Sequence, residues 1–338
     1  MKLSVGIVGV TGYTGQELLR LLRGHPHVSI SYLASLRLEK SVPLEEFEIQ
    51  PFRAKEALDR TDLLFLALPH GAAMQLAPQL LRKEGQKIID FSGDFRLSSA
   101  SVFSKAYGMP HRQPALLRQA AYGLPELNRE QIRKVRWVAN PGCYPTATLL
   151  ALAPLAEAGL LKREGTVVDA KSGVTGAGRS LKEELLYSEM NENLWAYKVD
   201  KHQHVPEMEQ ELRRLGPKNV RLLFVPHQVP MDRGIYATIY APLAKRLAEN
   251  KLRALFLKRY QSEPFVRILP EGVWPQTKPV AGTNFCDINL HRDPVSNQLV
   301  ILSVIDNLGK GAAGQAVQNM NLLCDLPETT GLIPDTGR

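Results

Sequence analysis

The sequence predicts an α/β protein with a parallel sheet in its first part and a mixed, largely antiparallel sheet in its second. Three observations predict this class. Strand-like and helix-like patterns alternate through the first third, a glycine-rich turn directly follows the first strand, and after Gly165 long loops with few helices separate the strand-like runs. Strands that alternate with helices build parallel sheets with covered faces, whereas the later pattern favours antiparallel pairing.

Short apolar runs define the strands of the first part, and longer periodic patterns define its helices. The predicted strands are Leu3–Val8, Val28–Ala34, Leu63–Ala67, Lys87–Asp90 and Trp137–Ala139. The predicted helices are Gln16–Arg23, Ala72–Lys83 and the apolar Ala147–Ala158. Beyond Gly165 the predicted strands are Thr166–Ala170, Val220–Val225, Ile235–Tyr240, Val266–Leu269 and Val300–Ile305. A final predicted helix, Gly309–Leu323, is long enough to fold back on the first domain.

The composition is that of a globular chain, since 44% of the 338 residues are hydrophobic and 22% are charged. No run approaches the ~18 consecutive apolar residues of a membrane helix. The first residues lack the basic-then-apolar pattern of an export signal. Three widely spaced cysteines make neither a disulfide framework nor a zinc ligand set. We therefore expect a cytoplasmic protein without membrane contact.

The net charge is +8, from 42 basic and 34 acidic residues. The basic residues are scattered, and runs such as Gln131–Arg136 look like solvated helix faces. A distributed positive field suits small anionic substrates and cofactors. We therefore expect a small-molecule substrate and no nucleic acid.

The first strand leads directly into a glycine-rich turn and then a helix. Glycines let the backbone turn tightly and approach a pyrophosphate, and the helix N-terminus supplies free N–H donors with a partial positive charge. An ordinary turn of this kind needs one glycine, whereas this one has three in a GxxGxxG spacing. The pattern predicts a Rossmann-type domain in which a dinucleotide is held by Gly9, Thr11, Gly12, Tyr13, Thr14 and Gly15.

The end of the second strand indicates which dinucleotide is bound. Sites that prefer NAD carry Asp or Glu there for the ribose hydroxyls. This chain has Ser35 and Arg37, a hydroxyl and a cation that suit a 2′-phosphate, although Glu39 is close. We therefore predict NADP(H).

Cys143 lies in Asn-Pro-Gly-Cys-Tyr-Pro-Thr, between a predicted strand and an apolar helix. The dipole and free N–H groups of a helix N-terminus favour a thiolate, and the same groups can hold an oxyanion. A lone thiol is more often a buried structural cysteine. The flanking glycine and two prolines indicate a shaped loop instead, so we predict a nucleophile, and we assign Cys286 and Cys324 to the core.

His202 and His204 supply acid and base candidates, with Glu207 beyond them. Two histidines at this spacing could be metal ligands, a proton shuttle or surface residues. Convincing further zinc ligands are missing, so we predict no metal and rank a base paired with Cys143 first.

Three more segments rich in glycine or charge follow predicted strands, where ligands of α/β proteins bind. They contribute Arg96, Arg179 and Lys310 as candidate contacts for an anionic substrate; each could also be an ordinary loop cation. Other assignments fail on single residues. A cysteine phosphatase would need arginine at the position of Leu149. The phosphate-binding sequence of P-loop NTPases does not occur. Tyr197 and Lys201 match the YxxxK pair of dehydrogenases, but the residues after them do not continue a helix, so we interpret this match as chance.

Together these segments resemble the N-acetyl-γ-glutamyl-phosphate reductase family, within the group that includes aspartate-semialdehyde dehydrogenase. The resemblance runs nearly end to end. The matching motifs, in order, are GVTGYTG, LALPHG, DFSGDFR, YGLPELNR, NPGCYPT, DAKSGVTGAGR, SEMNEN, KHQHVPEMEQEL, VPHQVPMDRG and IDNLGKGAAGQAVQNMN.

The resemblance implies that the Cys143 thiolate attacks an acyl phosphate, expels phosphate and leaves a thioester, which hydride from NADPH reduces to the semialdehyde in arginine biosynthesis. His204 or His202 would carry the proton. It also implies cofactor contacts at Pro69, Ser172, Gly173 and Asn307, and substrate contacts at Arg96, which takes the phosphate, and at Asn140, Arg179, Glu207 and Lys310.

The resemblance further implies an NADP-binding Rossmann domain over 1–144, completed by 309–338, a catalytic and oligomerisation domain over 145–308, and a homo-oligomer, either a dimer or a tetramer. One departure is the loop after the second strand, where relatives carry adjacent Ser-Arg followed by Ala-Gly. The alternatives are a reductase of the carrier-tethered α-aminoadipyl phosphate of the lysine pathway, an aspartate-semialdehyde dehydrogenase, and a non-catalytic NADP sensor. The Asn-Pro before Gly-Cys favours the arginine pathway over the lysine pathway.

Overall fold

The computed structural model describes residues 2–199 and 201–333. The chain divides into two compact units, the first formed by Met1–Gly142 with Ala312–Arg338 and the second by Cys143–Gly311. Each unit contains one β-sheet with helices packed on it. The predicted α/β class is confirmed. No helix within the described residues is both long and apolar enough to span a bilayer.

The strands and helices follow the chain in this order. The strands are β1 (Leu3–Val8), β2 (Val28–Ser35), β3 (Val42–Leu44), β4 (Phe47–Pro51), β5 (Leu63–Leu66), β6 (Lys87–Asp90), β7 (Ala120–Tyr122), β8 (Trp137–Ala139), β9 (Thr166–Ser172), β10 (Trp195–Ala196), β11 (Leu222–Gln228), β12 (Ile235–Pro242), β13 (Val266–Ile268), β14 (Cys286–Arg292) and β15 (Gln298–Ile305). The helices are α1 (Tyr13–Arg23), α2 (Ala54–Arg60), α3 (Ala72–Leu80), α4 (Ala100–Tyr107), α5 (Pro125–Ile132), α6 (Cys143–Glu157), α7 (Tyr187–Met190), α8 (His204–Leu215), α9 (Glu249–Tyr260) and α10 (Gly314–Leu323).

The first unit has an eight-stranded sheet in the order β3-β4-β2-β1-β5-β6-β8-β7. Every neighbouring pair is parallel except the β3–β4 hairpin at one edge. The chain leaves β1 toward β2 on one side and reaches β5 on the other. The carboxyl ends of β1 and β5 therefore flank the switch point where α/β sheets bind ligands.

Helix α10 belongs to the first unit although it lies at the end of the chain. Every residue from Gly314 to Leu323 is buried, polar ones included. Its apolar side chains pack with those of β1, α1 and β8 in one core. Two of its amides bond to the backbone: the Asn319 Nδ2 donates to the Gly123 carbonyl oxygen at 2.7 Å, and the Asn321 Nδ2 donates to the Thr330 carbonyl oxygen at 2.9 Å. Because buried polar groups need partners, these amides fix the register of the helix.

The second unit has a seven-stranded mixed sheet in the order β10-β11-β9-β12-β15-β14-β13. Two pairs, β9–β11 and β13–β14, are parallel, and the others are antiparallel. This confirms the predicted largely antiparallel sheet. Helices α6, α8 and α9 pack against its strands. Helix α6 is buried from Tyr144 to Ala156, which explains why its sequence is apolar on all sides.

Several elements were not predicted or have other bounds, and three of them illustrate why. Helix α8 begins at His204 despite Pro206, because a proline in the first turn removes an N–H that would have no partner in the helix anyway. Strand β14 was not predicted; its first five residues are buried and show no polar alternation. The predicted Gly309–Leu323 helix begins with a wider π turn over Gly309–Ala313 before α10.

Candidate active site

The glycine-rich turn after β1 is built from contacts that exclude larger residues. Gly9 has φ +94°, and a Cβ placed on it would lie 2.1 Å from the Ala67 carbonyl oxygen. A Cβ on Gly15 would lie 2.4 Å from the Gly9 carbonyl oxygen. The Gly9 N–H donates to the Ala34 carbonyl oxygen at 2.8 Å, which ties the turn to the end of β2. Packing within the chain therefore requires glycine at both positions.

Gly12 is different, because the chain itself leaves space around it. A Cβ there would meet nothing closer than the Gly9 carbonyl oxygen at 3.7 Å. Gly12 is the N-cap of α1, whose first turn contains no acidic side chain and is not capped by a side chain. Open backbone N–H groups at a helix N-terminus fit a pyrophosphate. The predicted contacts Thr11, Tyr13 and Thr14 surround this opening in the same turn.

The end of β2 places the predicted 2′-phosphate contacts on the same edge of the sheet. Ser35 is buried, and its hydroxyl accepts a hydrogen bond from the Arg37 N–H at 3.2 Å. The Arg37 side chain is exposed to solvent. The serine shapes the bend, and the guanidinium remains available at the surface.

The loop after β5 contains Pro69 and is held by Asp94, which the sequence analysis did not single out. Pro69 is exposed, and its carbonyl oxygen accepts a hydrogen bond from the Ala72 N–H at the start of α3. The fully buried Asp94 carboxylate accepts the N–H groups of Gly71 at 2.7 Å and Met74 at 2.9 Å. Asp94 therefore caps α3 from the neighbouring loop.

A second buried carboxylate lies at the end of β6, where this loop begins. Asp90, at the end of β6, is fully buried and accepts hydrogen bonds from the Ser92 N–H at 2.8 Å and the Ser92 hydroxyl at 2.9 Å. Burial, with the nearby Asp94 charge, raises the pKa of Asp90 to about 7. This loop thus contains a carboxyl group that titrates near neutral pH.

Arg96 and Asn140 fix the backbone of the segment before Cys143 through hydrogen bonds. The Arg96 guanidinium donates to the carbonyl oxygens of Asn140 at 2.8 Å and Phe91 at 2.6 Å. The Asn140 amide is fully buried, donates to the Ala312 carbonyl at 3.1 Å and accepts from Asn319 at 3.0 Å. Both residues hold the segment that precedes Cys143. These contacts favour positioning over direct substrate contact for Asn140.

Cys143 is the first residue of α6 and is partly exposed. A Cβ on Gly311 would lie 2.9 Å from the Cys143 Cβ, so the chain beyond β15 packs directly against it. The phenols of Tyr144 and Tyr197 are 3.0 Å apart. Burial, with the negative charge of a Cys143 thiolate, raises the pKa of Tyr197 to about 12, so the phenol keeps its proton at neutral pH.

The two histidines differ in what their ring nitrogens do. The His202 Nδ1 accepts the backbone N–H of His204 at 3.1 Å, which leaves the proton of the neutral ring on Nε2. Burial, with the charge of Lys198, lowers the pKa of His202 to about 3. Its ring lies 4.6 Å from that of His204 and 5.6 Å from that of Tyr144. The lone pair on Nδ1 of the neutral His202 ring therefore already accepts a hydrogen bond from the backbone.

The predicted nicotinamide contacts join the loops at the carboxyl end of β9. Asn307 is buried; its Oδ1 accepts the Gly234 N–H at 2.7 Å and its Nδ2 donates to the Thr175 hydroxyl at 2.9 Å. The Ser172 hydroxyl donates to the Gly173 carbonyl at 3.1 Å. These hydrogen bonds show that Asn307 fixes neighbouring loops.

The remaining predicted substrate contacts occupy different environments. Arg179 is exposed in the loop after β9. Glu207 and Lys310 are fully buried, and the Lys310 ammonium lies 5.6 Å from the centroid of the Phe265 ring. Direct substrate contact by Glu207 and Lys310 stays a prediction.

The sequence analysis missed an ion pair between the buried Asp306 and the partly exposed Arg233. Asp306 is fully buried and binds Arg233 through both carboxylate oxygens, at 3.2 and 2.9 Å. The same carboxylate accepts the N–H groups of Leu308 and Gly309. It thereby shapes the turn that leads to Gly311. In the part of the chain that the structure describes, no three His, Cys, Asp or Glu side chains cluster as a metal site would require.

Two family models match consecutive parts of the chain. Residues 4–135 match the family model described as semialdehyde dehydrogenase, NAD binding domain. Residues 143–307 match the model described as semialdehyde dehydrogenase, dimerisation domain. The first match includes the glycine-rich turn, and the second begins at Cys143.

Relatives resemble the chain over almost all of its length. Proteins named N-acetyl-gamma-glutamyl-phosphate reductase from Desulforudis audaxviator and Alkalilimnicola ehrlichii are 47% and 49% identical, with 98% of each chain covered. Another from Pseudomonas savastanoi is 50% identical over 97% of both chains. Among solved structures, aspartate semialdehyde dehydrogenase II of Vibrio cholerae has a TM-score of 0.73 at 17% identity, with 96% of this chain and 99% of that chain covered. That likeness shows the fold.

Proposed function

This chain belongs to the N-acetyl-γ-glutamyl-phosphate reductase family, and on that premise we propose that it reduces N-acetyl-γ-glutamyl phosphate to N-acetylglutamate 5-semialdehyde with NADPH, in arginine biosynthesis. The observation that carries the proposal is the partly exposed Cys143 at the start of a buried helix, followed by Tyr144, whose ring lies 5.6 Å from that of His202 and whose hydroxyl lies 3.0 Å from that of Tyr197. Full-length identity near 50% to proteins of that name supports the substrate.

We propose that the first unit binds the cofactor. The open N–H groups of α1 at Gly12 fit the pyrophosphate, and the exposed Arg37 guanidinium fits a 2′-phosphate. When bound, NADPH supplies the hydride that reduces the acyl group. Pro69, Ser172 and Gly173 remain proposed cofactor contacts, whereas Asn307 positions the loops around them.

In the first chemical step the Cys143 sulfur forms a bond to the acyl carbon, and the bond from that carbon to the phosphate oxygen breaks. Phosphate leaves with the electron pair, and a thioester remains on Cys143. The N-terminus of α6 stabilises both the thiolate and the oxyanion, and burial of the helix limits the screening of its dipole by solvent. Arg96 remains the proposed contact for the departing phosphate, and Arg179 remains a proposed substrate contact.

In the second step, after the thioester carbon has been reduced, the bond from that carbon to the Cys143 sulfur breaks. The sulfur keeps the electron pair, so Cys143 returns as a thiolate and the aldehyde departs. A base is needed to prepare the thiolate from the thiol. We assign this role to His204, because the lone pair of the neutral His202 already accepts the His204 N–H. His202 then acts as a positioning residue that orients the first turn of α8.

We also propose that two copies pair through the open face of the seven-stranded sheet. On this face Leu223, Val167, Tyr240 and Val300 form one row across four adjacent strands. Leu223 is 47% exposed and Tyr240 is 37% exposed. A partly exposed apolar row across four strands is typical of a contact between subunits. Light scattering on the purified protein measures the pairing.

We further propose a cytoplasmic location, which the free cysteines support.

The reverse reaction tests the proposed chemistry. Wild type, Cys143→Ser and the matched control Cys324→Ser are each mixed with N-acetylglutamate semialdehyde, phosphate and NADP⁺, and NADPH absorbance is followed. We expect phosphate-dependent reduction of NADP⁺ by wild type and by Cys324→Ser. Cys143→Ser should lose at least about a thousandfold in rate while still binding NADP⁺. Activity of wild type only with aspartate semialdehyde or a carrier-linked substrate would overturn the substrate assignment.

A further inference from the structure

His202 precedes α8 and lies in a buried cluster of aromatic rings. Its side chain is 6% exposed. The centroid of its ring lies 5.6 Å from that of Tyr144, 5.8 Å from that of Tyr197 and 5.2 Å from that of Phe224. The interplanar angles lie between 65° and 90°, so all three pairs are edge-to-face. We call these three rings the His202 enclosure.

The enclosure is assembled from three parts of the second unit. Tyr144 is on α6, immediately after Cys143. Phe224 is on β11, and Tyr197 follows β10. The phenols of Tyr144 and Tyr197 form a hydrogen bond of 3.0 Å that ties two of the rings together. Segments that are distant in the sequence therefore hold the enclosure against His202.

The hydrogen bond at His202 requires the neutral ring. The Nδ1 accepts the backbone N–H of His204 at 3.1 Å. A protonated ring carries hydrogen on both nitrogens, so a donor would then face a donor. Within the described residues, His202 faces the three rings of the enclosure, the His204 ring and the charge of Lys198, which is itself a cation. None of these groups is a carboxylate, and burial lowers the pKa of His202 to about 3.

We propose that the enclosure keeps His202 neutral and thereby fixes His204, which makes Tyr144 a positioning residue for the proposed base. With its N–H held, His204 keeps one orientation at the start of α8, which packs against the helix that begins at Cys143. An open enclosure would admit water, and His202 would then take up a proton as the pH falls. The hydrogen bond to His204 would be lost. The inference rests on the proposed role of His204 as the base.

Histidine NMR tests the proposal without any substrate. Protein labelled with ¹³C and ¹⁵N in its eight histidines is titrated, and the His202 signals are identified by their loss in His202→Gln. We expect His202 of the wild type to stay neutral from about pH 8 down to about pH 5, with its proton on Nε2. A wild-type His202 that takes up a proton above about pH 5, or that carries its single proton on Nδ1, overturns the proposal.

Three substitutions separate the ring of Tyr144 from its hydroxyl. Tyr144→Leu removes one side of the enclosure, whereas the matched control Tyr144→Phe keeps the ring and loses only the bond to Tyr197. Phe224→Leu opens the enclosure from β11 and serves where Tyr144→Leu does not fold. In both leucine variants we expect His202 to titrate with a midpoint between about pH 5 and pH 6.5, and in Tyr144→Phe to behave as in the wild type. A folded leucine variant with the wild-type titration contradicts the proposal.

The pH dependence of turnover measures the effect on the base. The ratio of kcat for Tyr144→Leu to kcat for the wild type should fall at least about threefold from pH 8 to pH 6, because His202 is protonated only in the variant. For Tyr144→Phe the same ratio should stay constant within about 1.5-fold. A ratio for Tyr144→Leu that does not change with pH would show that Tyr144 only supports the fold, and it contradicts the proposal. A wild type that is inactive on the proposed substrate contradicts only the proposed function, since the NMR titration needs no turnover.

Discussion

The buried carboxyl of Asp90 leads to a prediction about stability that has an unexpected sign. Its pKa is raised from 3.8 to about 7 by burial and by the Asp94 charge. In the unfolded chain the pKa returns to about 4. Between about pH 4 and pH 7 the folded protein therefore binds one proton more than the unfolded chain. Stability from this group is fully present below about pH 4 and is lost as the pH rises toward 7.

The size of the effect follows from the shift. About three pKa units at 1.36 kcal/mol each amount to about 4 kcal/mol, an order-of-magnitude value for a fully buried group. The substitution Asp90→Asn removes the charge and keeps an oxygen that can accept the Ser92 N–H. We therefore expect Asp90→Asn to be more stable than wild type at pH 8 by a few kcal/mol, and equal or slightly less stable at pH 4.

Urea unfolding at several pH values between 4 and 8 measures this difference. Trp137, the single tryptophan of the first unit, is buried in β8 and reports on unfolding there. Asp59→Asn on the exposed end of α2 is the control, and its stability should follow that of wild type. If Asp90→Asn and wild type lose stability in parallel from pH 5 to pH 8, the reasoning about Asp90 is refuted.

Two further predictions concern the cofactor and the base. Arg37→Ala should raise the KM for NADPH about tenfold or more and leave the KM for NADH within about twofold, whereas Lys40→Ala in the same loop should change neither. An equal effect on both cofactors would remove Arg37 from the 2′-phosphate site. His204→Gln should lower kcat by about a hundredfold or more with little change in KM, whereas His202→Gln should cost less. Steady-state kinetics with both cofactors provide the readout, and the reverse order for the histidines would sink the base assignment.

The sequence predicted β1, β2, β5, β6 and β8 of the first sheet because strong local patterns determine them, and it missed the short strands β3, β4 and β7. The β1 strand and the glycines after it are recognisable from the local sequence alone. Glycine is required at Gly9 by a close contact with the segment after β5, and at Gly15 by a close contact within the same turn. Helix α6 was predicted shorter than it is, because the prolines near Cys143 look like loop residues in one dimension. Whether a helix starts at such a residue depends on the packing around it.

Long-range partners explain what the sequence did not reveal. Asp94 looks like a loop residue until the structure shows it accepting the Gly71 and Met74 N–H groups. Lys310 looks like a surface cation, yet it is fully buried beside Phe265. Asp306 and Arg233 are 73 positions apart and meet only after β12 and β15 have paired. Hydrophobic periodicity carries no information about such contacts.

The discontinuity of the first unit has a consequence for biosynthesis. Its core includes Ala316, Val317 and Met320 of α10, which the ribosome makes last. While the second unit emerges, the sheet formed by β1 to β8 has no α10 to cover Val138 and its neighbours. We expect this half-built sheet to engage chaperones until synthesis ends. A circular permutant whose new termini lie between the units would make the same core without that delay, and a chain truncated before Gly314 would never complete it.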